Sequence, residues 1–410
     1  MQPTDTAAEQ QPLSLALMSI LAISTGIIVA NLYYAQPLDG LIGTALHLPP
    51  WAVGLVMTAM QVGYGLGLVF VVPLGDLLEN RRLIVATLLF NAVALFGLTF
   101  TTTASAFFVF VLLVGVTSAS VQIIIPFAAH LAPARQRGRI IGNVMSGLLL
   151  GIMLSRPAAS FLAHVAGWRL VFGVSGGLML ALALLLSFAL PAFPRHSTLS
   201  YFRILRSLGP LLVNVPELRR RGGYQAALFG AFILFWTAVP LFLAGPSFSL
   251  TQKGIGLFAL VGTGGVFISP IAGRIADRGW IRPATGCAMT MVLAAFGLLA
   301  IGGAERSMIL LVAGALLLDA GVAFNLILSQ RVIYNLAADI RARLNGLFIA
   351  LFFIGGACGS AIASFSYAFG GWSSTCLAGA LLAILALVAY ATEFLPSRDC
   401  LKAPAAKTEA

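Results

Sequence analysis

Two ionisable side chains stand inside long apolar runs, Arg156 within 140–165 and Asp319 within 307–330. On the insertion scale a charge at the centre of a membrane helix costs about 2.5–3.5 kcal/mol, so each calls for a partner or a task. A carboxylate and a guanidinium at one depth can pair. A carboxylate that takes up a proton can then release its arginine, which is the chemistry of a proton relay. Counted at about 1.5 Å per residue, the two reach overlapping depths. The expectation is an Arg156–Asp319 ion pair joining two helices, either as a proton and charge pathway or as a fixed packing element.

Uncharged polar and aromatic groups recur in the same kind of run: Asn31, Tyr34, Gln36, Gln61, Tyr64, Gln122, Trp236 and Asn325. Buried amides are costly unless paired or wetted, and aromatic faces can stack on a planar compound. As a set they predict a polar, mostly uncharged substrate cavity. Singly, each is also accounted for by a hydrogen bond between helices, and Tyr33 and Tyr34 by anchoring at the membrane interface.

The elements that must position these residues are membrane helices. The chain is 60% hydrophobic and 9% charged, with a mean hydropathy of +0.99, against about a quarter charged in soluble proteins. Crossing a bilayer takes about 20 apolar residues. Twelve runs qualify: 13–34, 51–74, 83–103, 105–130, 140–165 and 168–190, then 223–245, 254–270, 284–303, 307–330, 344–367 and 372–393. They are continuous rather than alternating, which selects helices over a barrel. The fold class is all-α integral membrane.

The net charge of +11 is topological. With both termini cytoplasmic, twenty of the 24 Lys and Arg fall in inside loops or tails, and only Arg169, Lys253 and Arg306 lie outside. This bias orients the chain and makes nucleic acid an unneeded partner. The first run is longer than a signal-peptide core, so it is read as retained. The cysteines Cys287, Cys358, Cys376 and Cys400 form no disulfide or metal pattern, and no cofactor is expected. The absence of a nucleotide-binding loop removes ATP as the direct energy source.

The chain has been built twice. Ala35-Gln36-Pro37-Leu38 returns as Ala238-Val239-Pro240-Leu241, Arg139-Ile140-Ile141-Gly142 as Arg343-Leu344-Asn345-Gly346, and Gly167-Trp168 as Gly371-Trp372. Asp76 returns as Asp277, and all four words recur in one order at offsets near 204. Residues 1–190 and 223–410 are therefore two six-helix repeats in parallel orientation. Between them 191–222 reads as a cytoplasmic linker, in which the stretch from Tyr201 to Arg206 is able to form a short amphipathic helix. By the offset of 204, Arg156 corresponds to Ser360 and Asp319 to Gly115. Small-residue stripes at Gly63 and Gly67, Gly147 and Gly151, Gly265, Ser269 and Gly273, and Gly355 and Gly359 predict close helix contacts. These lie on the second and fifth helices of each half, and the expectation is that they form the contact between halves.

Two six-helix halves, each with an acid-and-arginine loop after its second helix, resemble the major facilitator superfamily. The second loop fits the family pattern at Gly273, Ile275, Asp277 and Arg278; the first departs from it but keeps Asp76, Arg81 and Arg82. Asn31 and the run Tyr33 to Leu38, with Gly75 to Arg82, resemble a bacterial efflux branch of drug, sugar and nucleoside exporters. The resemblance implies a secondary transporter of the bacterial inner membrane, a monomer working by alternating access on a small organic compound, with proton-coupled efflux as the leading mode. Uptake or facilitated diffusion on the same fold, and a sensor or scaffold, are the alternatives. It also implies a cytoplasmic gate in which Asp76 meets the start of helix 11 near Arg343 and Asp277 the start of helix 5 near Arg139. Two departures bear on coupling: Arg156 takes the proline slot of the antiporter element in helix 5, and helix 4 lacks the family's buried arginine. Asp319 is then the best available acid.

Overall fold

The structure, a computed structural model, describes residues 15–131, 137–191, 200–260, 274–275, 278–336 and 340–394. The described chain is helical throughout: α1 (Leu15–Ala30), α2 (Asp39–Ala45), α3 (Leu55–Phe70), α4 (Asn80–Phe100), α5 (Ala104–Ser118), α6 (Val121–Leu131), α7 (Arg137–Ala166) and α8 (Trp168–Ala189) form the first half. α9 (Tyr201–Asn214) lies between the halves, and the second half follows as α10 (Pro216–Ala244), α11 (Gln252–Ala259), α12 (Ile281–Ala304), α13 (Met308–Tyr334) and α14 (Arg341–Ala391). Short 3-10 turns cover Gln36–Leu38, Pro50–Ala52 and Val72–Asp76. Nine of the described helices are long and apolar enough to cross a membrane, and Ala16–Ala30 is a shorter apolar helix. The longest, Arg343–Phe394, is two spans, broken at Gly371 (φ 63°). The eighth span starts with α11, and its remainder lies outside the described residues.

The duplicated Gly-Trp words make the same corner twice. Gly167 (φ 82°) and Gly371 (φ 63°) both take left-handed backbone, which a residue without a Cβ adopts at little steric cost. The tryptophan after each turns inward: Trp168 packs edge-on to Phe107 and Phe172, and Trp372 stacks on Phe242 at 4.2 Å. Trp372 Nε1 also donates to Leu299 O at 2.9 Å.

Within the first half α1 packs on α7, α3 on α5 and α4 on α8; within the second, α10 packs on α14 and α12 on α13. The glycine stripes serve these pairs, which corrects the expectation drawn from their spacing. A Cβ on Gly26 would sit 2.6 Å from Gly147 O, and one on Gly230 2.8 Å from Gly355 O, while Gly151 and Gly359 lie against the carbonyls of Gly26 and Gly230. Gly63 and Gly67 likewise face the α5 backbone at Leu112 and Val116. Such close approach is what small residues permit between lipid-embedded helices. Gly265, Ser269 and Gly273 lie outside the described residues.

The halves meet through α3 with α14 and through α7 with α11, the helices expected, but by other side chains. Thr58 and Ser360 hydroxyls are 2.9 Å apart, Tyr64 lies 4.2 Å from Phe353 between ring centroids, and Trp51 stacks on Phe365. Gln252 Nε2 donates to Pro37 O at 2.6 Å. These contacts seal the end of the molecule that carries α2. At the other end α9 bridges the halves: Tyr201 donates to Phe70 O at 2.9 Å, and Arg343 Nη1 to Ser207 Oγ at 3.2 Å. α10 begins at Pro216, a residue suited to a first helical turn, so Arg219, Arg220 and Arg221 belong to that helix and not to the linker.

Candidate charge and substrate site

Arg156 on α7 is buried, 3% exposed. Its Nε donates to Gln36 Oε1 at 2.7 Å. Its guanidinium lies 4.6 Å from the Trp236 ring, 5.0 Å from Tyr33 and 5.3 Å from Phe232, contacts worth about 0.5–2 kcal/mol each when desolvated. Trp236 belongs to α10, in the other half, and its Nε1 donates to Asp319 Oδ1 at 3.0 Å. Asp319 on α13 is 5% exposed.

The two charges therefore share one indole instead of touching. No Arg156 nitrogen comes within 4.0 Å of an Asp319 carboxylate oxygen, and this corrects the expected direct ion pair. The electron-rich face of Trp236 receives the cation, and its edge N–H receives the anion. An arrangement of that kind suits the ring quadrupole, negative on the face and positive at the edge.

The cluster is closed. Gln36, Arg156, Trp236 and Phe258 border a void of about 10 Å³, close to the minimum for one water. Arg156 Nη2 and Gln36 Nε2 have no partner among the described residues. Two buried donors thus stand side by side with hydrogen-bonding capacity to spare.

The other predicted cavity residues are not gathered here. Asn31 Nδ2 donates to Asn91 Oδ1 at 3.1 Å, and Ser175 donates to Asn31 Oδ1. Asn91 in turn donates to Thr117 Oγ1 and Ser118 Oγ. This network ties α1, α4, α5 and α8 within one half, so Asn31 is satisfied by packing partners. Gln122 donates to Tyr64 OH at 3.2 Å, and Asn325 to Gln225 Oε1 at 2.7 Å. Tyr34 lines a separate groove of about 580 Å³ along α1 and α7. Gln61 is fully buried, and neither amide atom has a partner among the described residues. On α3 it stands one turn from Thr58 and one from Tyr64, the residues that meet Ser360 and Phe353 of α14 across the seam.

Sequence reading missed Tyr33 and Phe232 as members of the cluster. Phe232 stands four residues before Trp236, hence on the same helix face, and that spacing was a usable signal. Tyr33 is 3% exposed under the guanidinium and is no interfacial anchor.

Of the gate residues, Gly273 and Asp277 lie outside the described residues. Asp76 ends its 3-10 turn exposed, Arg82 Nε pairs with Glu79 at 2.8 Å, and Arg81 lies in the first turn of α4. Arg139 and Arg278 are exposed, and Arg343 is engaged by Ser207 of α9. A second buried cation was hidden in the Arg219–Arg221 run. Arg221 donates to Thr285 Oγ1 at 2.8 Å and lies 4.0 Å from Glu393, which also accepts from Tyr224 and Arg282.

Comparison with known proteins gives one answer. Residues 15–337 match the family described as Major Facilitator Superfamily. An uncharacterized transporter, YgaY, of Escherichia coli O157:H7 is 39% identical over 381 residues, covering 92% of this chain and 95% of its own. A "Probable sugar efflux transporter" of Helicobacter acinonychis is 27% identical over 289 residues, 68% of this chain and 71% of its own. Among solved structures, the nucleoside transporter NupG superposes with a TM-score of 0.73 at 15% identity, covering 93% of this chain and all of its own.

Proposed function

The chain belongs to the major facilitator superfamily, a family of multi-pass membrane transporters and not of enzymes, and we propose that it exports a small organic compound in exchange for protons. The observation that carries the proposal is the Arg156–Trp236–Asp319 cluster, in which the intramembrane charges of opposite halves are held by one side chain. Sugars, after the similar efflux transporter of Helicobacter acinonychis, and nucleosides, after the superposed NupG, are the first substrates to test.

With the termini inside, as the arginine bias favours, the sealed end is the outer one. Protonation of Asp319 removes the anion from the edge of Trp236 and weakens the hold between α10 and α13. Substrate entering from the inner side meets the spare donors of Arg156 and Gln36 and the amide oxygen and nitrogen of Gln61. Release of the Asp319 proton to the cytoplasm then accompanies substrate loading. The protein acts as a monomer in the bacterial inner membrane.

A tolerance screen of deletion and overexpressing strains across compound classes identifies the substrate. Proton flux is then followed in inverted vesicles as that compound is added. Asp319→Asn is expected to abolish proton movement while retaining binding; unchanged coupled transport in this variant overturns the assignment.

A further inference from the structure

Asp39 opens α2, in the segment that follows the first span. It is fully buried, and both its carboxylate oxygens lack a hydrogen-bond partner among the described residues. An ionised carboxylate in that setting would forfeit its hydration with nothing in return. Burial alone pushes its carboxyl well above the ordinary carboxylate range, with no charged neighbour contributing.

What covers Asp39 is the seal between the halves. α2 packs on α10, and a Cβ on the adjoining Gly40 would meet the Leu241 side chain at 3.3 Å. Just before it, Pro37 O accepts from Gln252 of the other half. The facing end of α10, from Thr237 to Ala244, holds no ionisable group, and neither does the turn Gln36–Leu38. His47 beyond α2 and Lys253 on α11 are both exposed. Arg156 on α7 is directed at Gln36 and the rings around it.

We infer that Asp39 is a proton-operated catch on this seal: the halves close over it only when its carboxyl is protonated, and its ionisation drives them apart. The site takes a proton from the compartment that the seal faces. It is separate from Asp319, which lies on another helix. The inference rests on the reading that this end opens during the transport cycle.

Opening hydrates the carboxyl and returns its pKa towards about 3.9. Between that value and the buried one, the closed-to-open ratio falls by up to about tenfold per pH unit. Acid on the sealed side therefore holds the transporter shut there, and alkali frees it.

The test places a thiol in the seal of the full-length protein in lipid nanodiscs. Thr237→Cys, in a background whose native cysteines are replaced by serine, lies where a Cβ on Gly54 would come 2.9 Å from the Thr237 methyl. The rate of labelling by a methanethiosulfonate reagent is measured from pH 5 to pH 9 with Asp39 present and with Asp39→Asn. Taking the ratio at each pH cancels the thiol's own titration. The expected result is a rate that climbs at least about tenfold with pH relative to Asp39→Asn, and Asp39→Leu should match the asparagine variant. Equal pH profiles with and without the carboxyl, or labelling that falls with pH, overturn the inference. Adding Asp319→Asn should leave the Asp39-dependent rise in place. Loss of proton flux there with an intact rise supports both assignments; retained flux with an intact rise overturns the Asp319 assignment alone, and loss of flux without the rise overturns the Asp39 inference alone.

Discussion

The glycines at the α1–α7 and α10–α14 crossings set the sharpest test of how each half is built. A Cβ at Gly26 would stand 2.6 Å from Gly147 O, and one at Gly230 2.8 Å from Gly355 O, whereas ordinary contact begins at 3.4 Å. Gly26→Ala thus asks the helices to part by about 0.8 Å (3.4 − 2.6), and Gly230→Ala by about 0.6 Å, against backbone that cannot swing aside. Overpacking of this size costs about 1–3 kcal/mol, partly offset by the roughly 0.5–1 kcal/mol that alanine gains over glycine in a helix. Gly142→Ala and Gly297→Ala, with nothing within 4 Å of the new methyl, should show only the gain. Unfolding in mixed micelles with increasing dodecyl sulfate measures all four. A disulfide between Thr58→Cys and Ser360→Cys, whose hydroxyls are 2.9 Å apart across the halves, should still form in the Gly26 and Gly230 variants. If those variants unfold like the controls, or if they abolish the cross-half disulfide while stability is unchanged, the assignment of these glycines to packing within each half is wrong.

Trp236→Phe keeps a ring for Arg156 but removes the donor to Asp319 Oδ1. Leaving that acceptor unpaired costs about 1–3 kcal/mol, so coupled transport should fall roughly 5- to 150-fold, measured with the compound the screen identifies; a rate within twofold of the parent refutes the indole's bridging role. The raised carboxyl of Asp39 has a defined sign: its stabilising contribution is complete below the unfolded value of about 3.9 and is lost as pH rises through the higher folded value. Stability of the parent should therefore decline with pH relative to Asp39→Asn, and parallel unfolding curves for the two would contradict this. Glu393→Gln leaves Arg221, with 8% side-chain exposure, short of its counter-charge and should lower stability by about 3 kcal/mol, read in the same micellar unfolding assay.

Hydropathy and repeated words carried the helices, the halves and even the two Gly-Trp corners, because each depends on residues close in sequence. Partner choice depends on helix rotation, which spacing does not encode. Asn31 and Gln36 are five residues apart and of the same chemistry, yet one turns into the bundle towards Asn91 and Ser175 and the other meets Arg156 beside Trp236 of the opposite half. The glycine stripes failed in the same way: a small residue announces close approach but not the neighbour. Arg156 and Asp319 were legible as a related pair, since depth can be counted, while Trp236 was legible as a cavity residue but not as the group between them.

The packing register also shifts the internal correspondence. Gly26 and Gly230 are related by the offset of 204, but the partner carbonyls place Gly151 against Gly26 and Gly359 against Gly230, one helical turn further along. By packing, then, Arg156 corresponds to Ser364 instead of Ser360. Neither missing charge could be restored. A side chain at Gly115, the counterpart of Asp319, would run into the α3 backbone at Met60 and Tyr64, and Ser364 is pressed against Gly54 in the seam between halves. Each half thus has room for one charged member of the cluster and no more. A cation from one repeat and an anion from the other must meet at a residue both can reach, and Trp236 is that residue. The asymmetry follows from how tightly the second copy of each position is packed, and it makes the cluster a property of the closed pair of halves, absent from either alone.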